Sequence, residues 1–147
     1  MKKFFLSIVV ILVFVSCSVE PEKINYGEDH CVNCEMTIMD KRYGTEIVTA
    51  KGKVFKFDSV ECLVEFLQEK KLNAEDVKLV LVTPFNYPEV LVDANTCQML
   101  HCKDLPSPMG KYLTAFKDKE DAAQFREEYG GVLFDWKELM EEYDHLR

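Results

Sequence analysis

The chain reads as one structural plan used twice, and this constrains its fold more than any other feature. Gly44 to Ala50 and Lys53 to Phe57 are β-rich runs joined at Lys51-Gly52, the short glycine-containing link of a tight hairpin. Asp58 or Ser59 then offers an oxygen to cap a helix whose Val60, Leu63, Val64 and Leu67 fall on one apolar stripe. Val77 to Val82 follows as a strand, closed by Thr83-Pro84. The plan then restarts. Glu89 to Asp93 and Thr96 to Cys102 are strand-like, and Lys111 to Phe116 is a strand. A helix opens at Lys117 or Asp118, runs through Ala122, Ala123, Phe125 and Tyr129, and stops at Gly130-Gly131. Setting Phe57 on Phe116 also aligns Glu61 with Glu120 and Phe66 with Phe125, a strand-strand-helix repeat. A last helix begins at Asp135, with Trp136, Leu139, Met140 and Tyr143 on one face. The expected fold is α+β: two small related ββα-type halves, about residues 31–85 and 88–131, plus a C-terminal helix.

A separate segment precedes this domain. Lys2 and Lys3 lead into an apolar run from Phe4 to Val15 broken only by Ser7. As a helix it would rise about 18 Å, short of the roughly 30 Å hydrocarbon core; a basic start, a short apolar stretch and then small residues is the signal-peptide pattern. Phe14-Val15-Ser16-Cys17-Ser18 resembles the lipobox of bacterial lipoproteins. That resemblance implies a signal peptide over residues 1–16, cleavage before Cys17 and acylation of Cys17, with plain secretion as the alternative. Polar residues 17–29, which include Pro21, read as a tether. The expectation is a bacterial membrane lipoprotein anchored in the lipid bilayer, its domain (residues 30–147) facing the periplasm or cell exterior, where thiols can oxidise. The formal net charge of −8 argues against nucleic acid, whose phosphates call for clustered Lys and Arg.

Six cysteines and six methionines carry the chemistry. The densest cluster is His30-Cys31-Val32-Asn33-Cys34-Glu35-Met36. Cys-x-x-Cys can chelate a metal or form a disulfide. The second pair a closed zinc site needs is missing, and the motif precedes a hairpin rather than opening a helix as in thioredoxin-like enzymes. Met36 adds a thioether, which stays a ligand in an oxidising compartment; soft thiolate with thioether selects Cu(I). Met109 lies in the turn Ser107-Pro108-Met109-Gly110 rather than at helical or strand spacing, which makes it a second thioether candidate. Strand alternation would put Cys97, Met99 and His101 on one face, either as donors or as a half-buried strand with Cys102 paired to Cys97. Cys62 sits among Val and Leu, where buried cysteine is common, and His145 reads as solvated. If Cys17 is acylated, an odd number of cysteines remains, so at least one is outside any internal disulfide. Catalysis is not expected, since neither a Ser-His-Asp order nor a phosphate loop is visible.

Together these pieces resemble the NosL family of copper-binding lipoproteins associated with assembly of nitrous oxide reductase. The resemblance rests on Cys31-Val32-Asn33-Cys34-Glu35-Met36, Phe57-Asp58-Ser59-Val60-Glu61-Cys62, Val92-Asp93-Ala94, Ser107-Pro108-Met109-Gly110, Ala115-Phe116 and Ala122-Ala123-Gln124-Phe125. It implies two similar halves, one Cu(I) ion and transfer to a copper-accepting protein such as nitrous oxide reductase. Cys34, Met36 and Met109 match the family's sulfur positions; Cys31 and His30 are added candidates, and Glu35 stands where the family often has Gly. The expected function is a membrane-tethered Cu(I) metallochaperone that is not an enzyme. The alternatives are a thiol-disulfide oxidoreductase using Cys31 and Cys34, or a structural lipoprotein stapled by disulfides.

Overall fold

A computed structural model describes residues 19–69 and 72–146; the leader segment and Cys17 lie outside the described residues. The strands are β1 (Thr45–Thr49), β2 (Val54–Phe57), β3 (Val77–Val82), β4 (Val92–Asp93), β5 (Gln98–His101), β6 (Leu113–Phe116) and β7 (Val132–Phe134), and the α-helices are α1 (Val60–Gln68), α2 (Lys119–Tyr129) and α3 (Trp136–Glu142). They form two antiparallel sheets, ordered β2-β1-β3-β4 and β6-β5-β7. No helix among the described residues is long and apolar enough to cross a membrane.

The α+β expectation and the internal repeat are both seen, and the repeat is longer than the sequence suggested. Each half is strand, strand, helix, strand, with the first strand central: β1 pairs with β2 and β3, and β5 pairs with β6 and β7. Strand β7 lies beyond the expected boundary at residue 131. Its three residues sit between Gly131 and the helix cap Asp135, too few to show a period. The aligned aromatic pairs take matching roles. Phe57 meets Phe66 with ring centroids 5.2 Å apart, and Phe116 meets Phe125 at 4.8 Å, each locking its helix onto the end of the preceding strand.

Two expected strands are shorter than read, for a backbone reason. Glu89 (φ 65) and Tyr112 (φ 63) adopt left-handed conformations that no β-strand accommodates. Pairing therefore starts at Val92 and Leu113. The start of β5 is delayed by a single 3-10 turn, Ala94–Thr96, whose cap Asp93 accepts from the Asn95 N–H at 2.9 Å.

The second sheet is covered on both faces. Met99, Leu113 and Ala115 face the main core with Phe57, Leu63, Val64, Trp136 and Leu139. Leu100, Cys102 and Phe116 face a smaller core under α2, with Ala122 and Phe125. α1 thus packs against both halves and becomes the shared spine of the molecule. Residues 22–29, expected as part of a tether, are instead docked: Ile24 is buried in the main core, the Glu22 N–H donates to the Glu46 carboxylate at 3.0 Å, and Lys56 Nζ donates to the Lys23 carbonyl at 2.9 Å.

One glycine is fixed by both conformation and space. Gly131 has φ 97, and a Cβ there would lie 2.4 Å from the His101 carbonyl oxygen and 2.9 Å from Cys102 Cβ. Gly131→Ala is expected to cost about 2–4 kcal/mol by displacing β7 from β5, a loss read directly from urea unfolding midpoints; a cost under about 0.5 kcal/mol would contradict this close approach.

Candidate metal centre

The Cys31–Met36 segment is a closed loop. His30 and Thr37 form an isolated antiparallel bridge at its neck. The Cys31 N–H donates to the Met36 carbonyl at 2.8 Å, and the Glu35 N–H to the Cys31 carbonyl at 2.9 Å. The Val32 N–H donates to the Lys56 carbonyl at 3.0 Å, which fixes the loop to β2. Closing so tight a loop puts Glu35 at φ 64, a left-handed conformation that glycine accepts without penalty. Glu35→Gly is therefore expected to raise stability by about 0.5–1 kcal/mol in chemical denaturation; a loss of stability would mean the Glu35 side chain contributes more than its backbone strain.

The sequence Asp58-Ser59-Val60-Glu61-Cys62 builds the other wall. Ser59 is the N-cap of α1, its side chain accepting from the Cys62 N–H. Because Ser59 does the capping, the Asp58 carboxylate is left to face the loop. Cys34 Sγ donates to Asp58 Oδ2 at 3.6 Å, while Asp58 Oδ1 is buried with no hydrogen-bond partner. Cys62, in the first turn of α1, points to the same place. One donor atom each from Cys31, Cys34, Asp58 and Cys62 lies within 4.8 Å of the others, the only such His, Cys, Asp and Glu group among the described residues.

The three thiols differ in character. Cys31 is pulled down to about 6, chiefly by a hydrogen bond from Cys62, with further help from the N–H groups of Cys34, Asp58 and Asn33. Cys62 is pushed up, first by that same shared hydrogen bond and then by burial. Cys34 is pushed up by burial and by the neighbouring Cys31 sulfur. Cys31 (1% exposed) and Cys62 (0%) are sealed in, while Cys34 is half-buried. Cys34 is therefore the most accessible of the three sulfurs. Such a site offers one ready thiolate, two thiols that release protons when a metal takes their place, and an acidic oxygen lacking a partner.

The second loop approaches from the other half. The Ser107 hydroxyl donates to the buried Glu61 carboxylate on α1, and the Leu113 N–H donates to the same oxygen at 3.2 Å. A cleft of about 380 Å³ is lined by Met36, Met39, Asp58, Pro106, Ser107 and Pro108, so Met36 and the second loop face each other across Asp58. Met36 is 50% exposed. Met109 is partly buried and packs against the main core.

The other sulfur candidates belong to packing. Cys97 and Met99 lie in the main core, and Cys102, on the opposite side of the sheet, donates from Sγ to the Tyr129 carbonyl at 3.3 Å. Strand alternation thus separates Cys97 from Cys102, and both are free thiols, as are Cys31, Cys34 and Cys62. His101 is half-buried near the Tyr112 ring, His30 Nε2 lies 3.5 Å from the Thr37 hydroxyl at the surface, and His145 is exposed. The sequence places Cys62 among packing residues and Asp58 at a possible helix cap, while the structure brings both to the Cys31–Cys34 loop. The available signal was the short separation of Asp58 and Cys62, which places one donor just before the Ser59 cap and the other in the first turn of α1.

Curated proteins give no match. Among solved structures, the chain is similar to the copper chaperone NosL from Shewanella denitrificans, with a TM-score of 0.71 and 25% identity, covering 82% of this chain and 96% of that one. The NosL family model matches residues 23–143, a span that holds every residue of the cluster and both loops, and the chain therefore belongs to the NosL family.

Proposed function

We propose that this protein is a Cu(I) metallochaperone that takes up copper at the Cys31–Cys34–Cys62 cluster and hands it to an extracytoplasmic copper enzyme. The observation that carries this reading is the convergence of three sulfurs within 4.8 Å of one another. Soft thiolates select Cu(I) over hard cations. The Asp58 oxygen is a hard donor; its role is to orient Cys34, from which it accepts a hydrogen bond. Met36 and Met109 are the neutral thioethers that complete or exchange ligands as cargo passes through the exposed side. The similar solved structure is itself named a copper chaperone, and family resemblance makes nitrous oxide reductase the expected acceptor. Acylation of Cys17 would hold the domain at a bacterial membrane, facing the periplasm or cell exterior. The acidic surface, net −8 for the chain, would concentrate cations there.

Site burial favours a carrier over a thiol-disulfide oxidoreductase. Such an enzyme needs its low-pKa sulfur exposed to attack a substrate disulfide. Here the sulfur with the lowered pKa, Cys31, is 1% exposed, and the accessible Cys34 is shifted the other way.

The test is an anaerobic titration of the full-length protein in detergent with Cu(I), against a competing chromogenic chelator. Tight one-to-one binding, lost in Cys34→Ser and weakened about tenfold in Met109→Leu, is the expected result. Absence of tight binding would overturn the proposal.

A further inference from the structure

The two sulfur-bearing loops are tied to one carboxylate. Glu65 lies one turn after Glu61 on α1, and its two oxygens serve different loops. Oε2 accepts from Asn33 Nδ2 at 3.1 Å, inside the Cys31–Met36 loop. Oε1 accepts from Lys111 Nζ, immediately after Gly110, and from the Tyr143 hydroxyl at 3.1 Å. Lys111 Nζ also donates to Tyr143 Oη at 3.2 Å and lies 4.9 Å from that ring's centroid, so its ammonium is held on several sides. The Glu65 side chain is 27% exposed, sheltered enough for these charge-assisted bonds to set geometry rather than flicker in solvent.

Met109 is thus bracketed. Glu61 holds the loop before it through Ser107, and Glu65 holds the chain after it through Lys111. The same helix carries Cys62 between these two anchors. Glu65 reaches both loops by side-chain bonds; Glu120, which aligns with Glu61 in the second half, is exposed on α2.

We propose that Glu65 is a positioning residue for copper capture, holding the Cys31–Met36 loop and Met109 in register around a single ion. The proposal rests on the Cu(I) reading above and adds to it a coupling between the thiolate cluster and the Met109 thioether. Without Glu65 the two loops move independently, and Met109 no longer meets an ion held by the cysteines.

The experiment is the same Cu(I) competition on full-length wild type, Met109→Leu, Glu65→Ala, the double variant and Glu65→Gln, with thermal melting to monitor folding. Each of the first two substitutions is expected to weaken binding about tenfold, and the double variant to bind within about twofold of either single one, because both remove the same contact. Glu65→Gln keeps an oxygen at the same reach and is expected to lose less than about threefold. A stabilising role alone would lower the melting temperature without this coupling. Independent losses, about a hundredfold in the double variant, would overturn the proposal, as would a Met109→Leu affinity equal to wild type. If wild type binds no Cu(I), the proposed function fails on its own account and amide exchange decides whether Glu65 ties the two loops. Glu65→Ala should then speed exchange at both Cys31 and Tyr112 by about tenfold, and unchanged exchange would overturn it.

Discussion

Cys62→Ser is expected to lower Cu(I) affinity by at least about a hundredfold, roughly 2.7 kcal/mol, and Cys97→Ser to leave it unchanged. Both cysteines are buried, at 0% and 1% exposure, so the pair separates ligation from packing. Serine fits either position by volume, and each variant is therefore expected to lose a modest amount of stability from burying a hydroxyl. Only Cys62 shares the 4.8 Å cluster with Cys31, Cys34 and Asp58. The helix survives the change at Cys62, because its contribution to the cap is the backbone N–H donated to Ser59. Equal affinity losses in the two variants would mean that binding follows general core integrity, and the cluster would lose its assigned role.

A second large effect concerns stability and pH. Glu46 lies fully buried on β1; one carboxylate oxygen accepts from the Glu22 N–H and the other has no partner. Burial pushes its pKa up from 4.5 to about 7, only partly offset by the Glu22 N–H and the Lys56 charge. Lys56 is itself engaged with Glu22 and Asp29 at 3.3 and 2.9 Å. The unfolded carboxyl gives up its proton more readily than the folded one, so stability from this group is complete below about pH 4.5 and falls as pH rises toward 7. Above that, the charged side chain is a standing cost. Glu46→Gln keeps an acceptor for the Glu22 N–H and removes the charge. It should therefore gain about 1–3 kcal/mol over wild type at pH 8 and nothing near pH 4.5, in paired urea titrations. A variant less stable than wild type at pH 8 would show that the charged carboxylate is stabilising in place.

The fold was legible where periodicity was long enough to read. Val77–Val82 stood out as a β-branched and leucine run between turn residues, and Asp135 as a cap before an apolar face. The repeat was visible because Phe57 and Phe66 recur as Phe116 and Phe125, and those pairs do the same packing. The third strand of the second half escaped because Val132–Phe134 is too short to carry a pattern; only the place left beside β5 makes it a strand. Glu89 and Tyr112 hid positive φ values behind side chains that give no sign of them.

The site divides the same way. Cys31 and Cys34 stand out by local spacing; the turn residues around Met109 point to something other than core, whereas in the structure Met109 packs against the main core. Cys62 did not, because a buried cysteine on an apolar helix face looks the same whether it packs or ligates. Its place in the cluster is set by tertiary contacts, with Ser59 taking the cap and Asp58 left to face the loop. Glu65 was silent for a related reason: its partners Asn33 and Lys111 are 32 and 46 positions away in sequence.

The most direct test of the central claim is X-ray absorption at the copper edge on the full-length protein carrying one equivalent of Cu(I), wild type beside Cys31→Ser and Cys62→Ser. Copper held by the cysteine cluster gives an all-sulfur first shell in wild type that loses sulfur in each variant. A shell dominated by nitrogen or oxygen, or a spectrum indifferent to both substitutions, would contradict the account.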